Sequence, residues 1–447
     1  MAASAPHGLD ETHEPGLRSW VESSHAAISD FPVQNLPFGV FRHDYEERPR
    51  VGIAIGDSVL DCLAATRAGF FDDLGPVVRD VLQSWSLNAL LSLGRAEARA
   101  VRHVASRLLR ANSPEGARAA AMRDALLVGM DHVSMRVPAE IGDYTDFYSS
   151  VYHATNVGAM FRPESPLLPN YKYVPVGYHG RASSIVASGT AIRRPSGQAR
   201  PDPSAPPAFG PSKSLDYELE IGAVVCGENA VGEIVPLALA EDRIFGLALL
   251  NDWSARDIQA WEYQPLGPFL AKNFATTLGP WVVTLDALEP FRVGVAVRPE
   301  GDPAPLPYLH DLANEARGGF GITLEVLLRS SAMRDAGLAP SRLSIGSFAD
   351  MYWTFGQLVT HHASNGCNLR PGDLLGSGTV SGPAKESRGC LLELAQRGAE
   401  PVLLPSGESR AFLADGDEVI FRAWCERPGT VRIGFGECRG TVRAASQ

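Results

Sequence analysis

Residues 214–227 read SLDYELEIGAVVCG. The second half is an apolar run closed by glycine, and the first half alternates acids with apolar residues. Side chains of a strand alternate between two faces, so this stretch predicts a strand with Glu218 and Glu220 on one side. Their Cα atoms then lie roughly 6–7 Å apart, and Asp216 shares their parity one step further along. Two like charges on a half-buried face repel, and each favours protonation of the other. A divalent cation removes that conflict; so does water, if the face is simply solvated. The stretch alone leaves both readings open, and the solvated face is the more ordinary of the two.

Outward from this strand the chain keeps a β character. GPWVVTLDAL (279–288), FRVGVAVRP (291–299), FGITLEVLLRS (320–330) and GTVRIGFGECRGTV (429–442) are apolar or alternating runs punctuated by glycine and proline. Strands do not alternate regularly with long helices, which disfavours a doubly wound sheet or an α/β barrel. The N-terminal part differs. FPVQNLPFGVF (31–41) and VGIAIGDSVLDC (51–62) read as strands and tight turns, whereas WSLNALLSLGRAEARAVRHVASRLL (85–109) reads as helix. ANSPEG is then a turn, with Pro114 at the start of a further helix. The chain has 447 residues, more than one core usually serves. Two domains are expected, 1–135 and 136–447, in a mainly β protein. The proline-rich stretch 193–213 is expected to be a surface excursion, or a loop covering a site.

The composition excludes several classes of function. A formal charge of −11 disfavours a nucleic-acid partner, which needs a basic surface. No run reaches 18 apolar residues, so no membrane span is expected. Six cysteines without CxxC spacing make no disulfide framework, and the N-terminus carries no secretory pattern; both point to a cytoplasmic protein.

Further acids and bases stand out. Asp146 lies in DYTDFYSSVYHATN (143–156) and Asp252 in ALLNDWSARDIQAWEYQPLG (248–267). With Glu218 and Glu220 they would form an all-oxygen site suited to Mg²⁺ or Ca²⁺ rather than Zn²⁺. If the residues after Asp252 are helical, Asp252, Arg256, Gln259 and Tyr263 fall on one stripe, either exposed or turned toward a ligand. Lys272, inside the largely apolar GPFLAKNFATTLGPW (267–281), needs an anionic partner if buried. His153 is a candidate general base, with Glu393 of the apolar, β-like RGCLLELAQ (388–396) as the acceptor that would fix its tautomer. His179, His361 and His362 compete for that role. In NLRPGDLLGSGTVSG (368–382) a turn, strand and loop are expected; the glycines do not complete a dinucleotide fingerprint, and the Thr379 hydroxyl can instead touch substrate.

DYTDFYSSVYHATNVGAMFRP, LLPNYKYVPVGYHGRASSIVASGT, LDYELE, NDWSARDIQAWEYQPLGPFLAKNFATTLGPW and HHASNGCNLRPGDLLGSGTVSG together resemble the fumarylacetoacetate hydrolase family, and the resemblance spans nearly the whole chain. It implies an N-terminal SH3-like barrel followed by a mixed β-sandwich roll, and a homodimer with active sites near the subunit interface. It implies hydrolysis of 4-fumarylacetoacetate to fumarate and acetoacetate, the last step of tyrosine catabolism. One Mg²⁺ or Ca²⁺ is implied per site, with room for an accessory cation. Carried over by position, the metal ligands are Asp146, Glu218, Glu220 and Asp252, with Lys272 and Thr276 beside them. The base is His153, supported by Glu393. Arg256, Gln259 and Lys272 stabilise developing negative charge, and Tyr148, Arg162, Tyr178, Gln259, Tyr263 and Thr379 bind substrate. A related metal-dependent decarboxylase, hydratase or isomerase of a small keto acid is the alternative, and a non-catalytic binding protein of the same fold the second.

Overall fold

The computed structural model describes residues 8–44 and 48–446. The strand Leu219–Val225 lies inside a 13-stranded sheet, between Ile244–Asp252 and Leu374–Gly376. It is buried along its whole length. Leu219, Ile221, Ala223 and Val225 enter one apolar cluster, while Val224 and Cys226 enter another on the opposite face. A strand covered on both faces needs no polar alternation, which accounts for IGAVV. One face packs toward a five-stranded sheet that includes Thr323–Arg329, Glu418–Cys425 and Ile433–Arg443. The other packs against the N-terminal helices.

Among those helices, Arg95–Leu109 shows the reason for its placement. Ala98, Val101, Ala105, Leu108 and Leu109 repeat at helical spacing and are buried. Arg102 shares that face and is itself buried; its Nη2 donates to the Gln34 carbonyl at 2.6 Å, so the charge is hydrogen-bonded rather than stranded. The helix expected over 85–109 is two, Asn88–Leu93 and Arg95–Leu109, divided at Gly94, whose φ is +91°.

The expected fold class needs correction. Helix and strand take nearly equal shares, 29% and 27%, so the chain is not mainly β. Among the described residues no SH3-like barrel closes in the N-terminal part, and the architecture is not that barrel followed by a β-sandwich roll. The physical reason lies in the strand Phe38–His43. One of its edges carries Arg50–Ile55, and the other is shared by Trp281–Thr284 and Val133–Met135. That second edge therefore joins the N-terminal strands to the large open sheet. Leu127–Gly129 and Val133–Met135 are separated by a helical turn, Met130–His132, and lie at different places in the sheet. One apolar run expected to be β-like is a helix: Leu391–Leu394, which carries Glu393. Short apolar runs between breakers fit either geometry, and periodicity alone does not separate them.

The stretch 193–213 is no plain loop: Ser196–Ala199 pairs antiparallel with Ala208–Pro211. Among the described residues no helix is long and apolar enough to cross a membrane. All six cysteines are free, and five are buried.

Candidate active site

The helix Val151–Phe161 begins at Ser150, whose hydroxyl accepts from the His153 amide at 3.2 Å. The same hydroxyl donates to the Ser381 carbonyl at 2.9 Å, tying the helix start to the loop after Leu374–Gly376. His153 thus occupies the first turn, and Asn156 follows three residues later on the same face. Both meet Glu393. Its Oε2 lies 2.6 Å from His153 Nδ1 and accepts from Ser381 Oγ at 2.8 Å and Cys390 Sγ at 3.2 Å; its Oε1 accepts from Asn156 Nδ2 at 2.8 Å. Burial would lift the Glu393 carboxyl, but the His153 ring and these donors hold it down to about 2. An ionised carboxylate only accepts, so the Nδ1 of His153 carries the hydrogen and a neutral ring keeps its lone pair on Nε2.

The four acids read from the sequence come together from three separate segments. Asp146, Glu218, Glu220 and Asp252 each place a carboxylate oxygen within 4.8 Å of the others, and all four are buried. Strand pairing sets two of them: Asp146 stands beside Gly376 in a parallel ladder, and Asp252 stands opposite Thr276. Their environments differ sharply. Asp252 is fully engaged, by Tyr178 OH at 2.7 Å, Lys272 Nζ at 2.8 Å and Thr276 Oγ1 at 2.9 Å. Glu218 accepts from Arg256 Nη1 at 2.7 Å and from Lys272 Nζ. Against the burial that would raise it, those two cations hold the Glu218 carboxyl well below the usual range. Asp146 receives one donor, the Gly378 amide at 3.1 Å, and neither oxygen of Glu220 meets a hydrogen-bond donor. Burial and the neighbouring acids push the carboxyls of Asp146 and Glu220 well above their ordinary value.

The comparisons with known proteins agree along the whole chain. Residues 144–443 match the family described as fumarylacetoacetate hydrolase C-terminal, and residues 34–138 match fumarylacetoacetase N-terminal. The fumarylacetoacetase of Bos taurus is 50% identical over 425 residues, covering 94% of this chain and 98% of the relative. That of Homo sapiens is 49% identical over 424 residues, with the same coverage. The chain belongs to the fumarylacetoacetate hydrolase family. It is therefore an enzyme, a hydrolase. A solved structure of a proposed HpcE protein from Mycobacterium smegmatis, 19% identical, aligns over 91% of this chain and 99% of its own with a TM-score of 0.50, a likeness of fold.

In this member of the fumarylacetoacetate hydrolase family a cavity of about 660 Å³ opens beside the acids. Asp146, Glu218, His153, Arg256, Gln259 and Lys272 contribute to its wall. Tyr148, Tyr178 and Thr379 face it as well; Thr379 Oγ1 is buried and has no partner. Arg162 and Tyr263 sit at the exposed rim, where Arg162 donates to the Pro166 carbonyl at 3.1 Å. Glu220, Asp252 and Thr276 lie behind the wall, and Glu393 lies behind His153.

The competing histidines are elsewhere. His362 Nε2 lies 2.9 Å from Thr145 Oγ1, the neighbour of Asp146 that strand alternation turns to the other face. His361 is paired with Tyr308. Nor does the stripe from Asp252 form as expected. Asp252 ends a strand and the helix begins only at Arg256, so Arg256 pairs with Asp216 and Glu218 rather than with Asp252. Sequence reasoning missed Asn156, Ser381 and Cys390, the other donors to Glu393. Only Asn156 had a readable signal, its three-residue spacing from His153 after a capping serine.

Proposed function

We propose that this enzyme hydrolyses the carbon–carbon bond of 4-fumarylacetoacetate, giving fumarate and acetoacetate at the end of tyrosine catabolism. The observation that carries the reading is a buried four-carboxylate corner standing beside a paired His–Glu dyad at one cavity.

The residues fit a hard divalent cation. The four carboxylates outnumber the cations beside them, Lys272 and an Arg256 shared with Asp216, so the corner favours a bound positive ion. Glu220 offers two buried oxygens with no donor, and its surroundings contain no thiol or imidazole that would favour a softer metal. Asp146, Glu218, Glu220 and Asp252 would hold Mg²⁺ or Ca²⁺, with Lys272 and Thr276 fixing Glu218 and Asp252 in place. When bound, such an ion supplies Lewis acidity toward a β-dicarbonyl and its departing enolate.

The protein's own groups do the rest. Glu393 fixes the His153 tautomer, and Nε2 takes one proton from water. The hydroxide adds to the fumaryl-side carbonyl carbon. Arg256 Nη2, which has no protein partner, the Gln259 amide and the Lys272 ammonium offset the charge that develops on oxygen. Each well-placed donor contributes roughly 10²–10³ in rate. Cleavage leaves fumarate and the enolate of acetoacetate, which takes up one proton. Tyr148, Tyr178, Tyr263 and Thr379 position the substrate, and Arg162 at the rim receives a carboxylate. In this reading residues 136–447 form the catalytic unit and residues 1–135 buttress its sheet, in a cytoplasmic homodimer.

The test supplies purified protein with fumarylacetoacetate and Mg²⁺ and follows loss of the dicarbonyl absorbance together with both products. Both products should appear in equal amounts. Metal-loaded, folded protein that forms neither would reject the reading, and carbon dioxide or an isomer in their place would favour a related keto-acid enzyme.

A further inference from the structure

Asp216 shares strand parity with Glu218 and Glu220, yet it is absent from the acid quartet. The strand breaks between Leu215–Asp216 and Leu219–Val225, and Asp216 turns to other partners. It is completely buried. Its Oδ2 accepts from Arg256 Nε at 2.9 Å and from the Leu392 amide at 3.0 Å. Its Oδ1 accepts from the Leu391 amide and from its neighbour, the Tyr217 amide, each at 2.9 Å.

These contacts reach both halves of the machinery. Leu391 and Leu392 open the four-residue helix Leu391–Leu394, and Glu393 is the next residue. A helix this short does not hold itself together, and Cys390 at its N-cap offers no side-chain bond to the helix amides. The two amides are instead satisfied by a carboxylate about 175 positions earlier in the chain. On its other side the same carboxylate grips Arg256 through Nε. The guanidinium is planar and rigid, so fixing Nε also fixes where Nη1 meets Glu218 and where the unpartnered Nη2 stands.

We propose that Asp216 is a positioning residue that holds Arg256 and the Glu393-bearing helix in one frame. The group that orients the general base and the group that stabilises developing charge then keep a constant relation to each other. A carboxylate shared in this way between two elements gives the accuracy that proximity effects require, since a displacement of about 1 Å at the reacting groups costs on the order of 10²-fold in rate. This inference deepens the function proposed above and rests on it.

The test is a double-mutant cycle. Asp216→Asn keeps the shape, removes the charge and turns an amide group toward donors. Measured per folded chain, its kcat should fall about 10- to 100-fold, with KM and the half-saturating Mg²⁺ concentration within about threefold of wild type. Glu393→Gln should cost much less in the Asp216→Asn background than in the wild type, because the helix it acts from is already loose. A residue that merely supports the fold would lower the yield of folded chain and leave the two losses multiplicative. The proposal is overturned by multiplicative losses, by a kcat within twofold of wild type, or by failure of both Asp216→Asn and Asp216→Ser to fold. Absence of turnover in the wild type would sink the functional reading, and this inference with it.

Discussion

Glu393 and Glu220 are both completely buried acids, and the protein treats them in opposite ways. Glu393 has a donor for each oxygen and four partners in all. Glu220 has none, and its near polar neighbours are other acids. A buried carboxylate left unpaired costs several kcal/mol in practice or takes up a proton. The first acid is therefore finished by the protein itself. The second is left without a donor, and the proposed cation is what would compete for its oxygens. Most of the following tests depend on keeping these two centres separate.

The largest effect falls on the finished centre. His153→Ala removes the proposed base, and kcat should drop by about 10²–10⁴-fold. Isothermal titration with Mg²⁺ should give an affinity unchanged within error, since His153 is not one of the four acids. Turnover near the wild-type rate would end the assignment of the base, and a parallel loss of Mg²⁺ affinity would show the two centres to be one.

A pair of isosteric substitutions sharpens the contrast. Glu393→Gln leaves His153, Ser381 and Cys390 facing a group that no longer accepts as well, so the melting temperature should fall, by about 1–3 kcal/mol in stability. Glu220→Gln replaces a buried acid that has no donor. Without added cation its melting temperature should equal or exceed that of the wild type, while Mg²⁺ affinity falls at least tenfold. Equal destabilisation by both substitutions would mean that Glu220 is a satisfied structural acid.

The two centres also differ in how far the sequence disclosed them. The Glu218–Glu220 pair was legible as two acids two residues apart, but alternation explains only part of it: the strand begins at Leu219, Glu218 lies in the break before it, and Asp216, of the same parity, points elsewhere. Asp146 and Asp252 gave no such signal; their convergence depends on a parallel pairing with Leu374–Gly376 and on an antiparallel one with Thr276–Leu278, both far off in the chain. The dyad was only one pairing among several that the residues offered, because Glu393 sits in a β-like run whose residues Leu391–Leu394 fold instead as a helix held from outside by Asp216. The same dependence on distant partners misled the fold reading. The N-terminal strands look like a small barrel until Phe38 pairs with Val282 and spends their free edge on the large sheet.

A gentler probe of the incomplete centre is Gly376. Its backbone angles do not demand glycine, for it is not among the residues with positive φ. A Cβ there would lie 2.4 Å from Asp146 Oδ1 and 3.0 Å from Glu220 Oε2. Gly376→Ala should push those acids out of register and lower Mg²⁺ affinity roughly tenfold, with kcat at saturating Mg²⁺ much less affected. Unaltered affinity would show that the acids have slack, and that the close approach of this strand is not part of the site.

The smallest expected effect tests how the finished centre is finished. Cys390 is the weakest of the four donors to Glu393, a thiol at 3.2 Å. Burial first, and then the neighbouring acids, push that thiol well up, so it stays protonated and can donate. Cys390→Ser exchanges it for a smaller, better donor on a shorter bond. If Glu393 needs only a full set of donors, kcat should shift by less than about threefold, since His153, Ser381 and Asn156 still fix the carboxylate. Ser381→Ala should cost more, about tenfold, because that hydroxyl also accepts from the Gly389 amide at 2.9 Å. A large loss with Cys390→Ser and a small one with Ser381→Ala would reverse the ranking. The dyad would then be held by the bulk of sulfur packed behind it, and hydrogen-bond completeness would no longer distinguish Glu393 from Glu220.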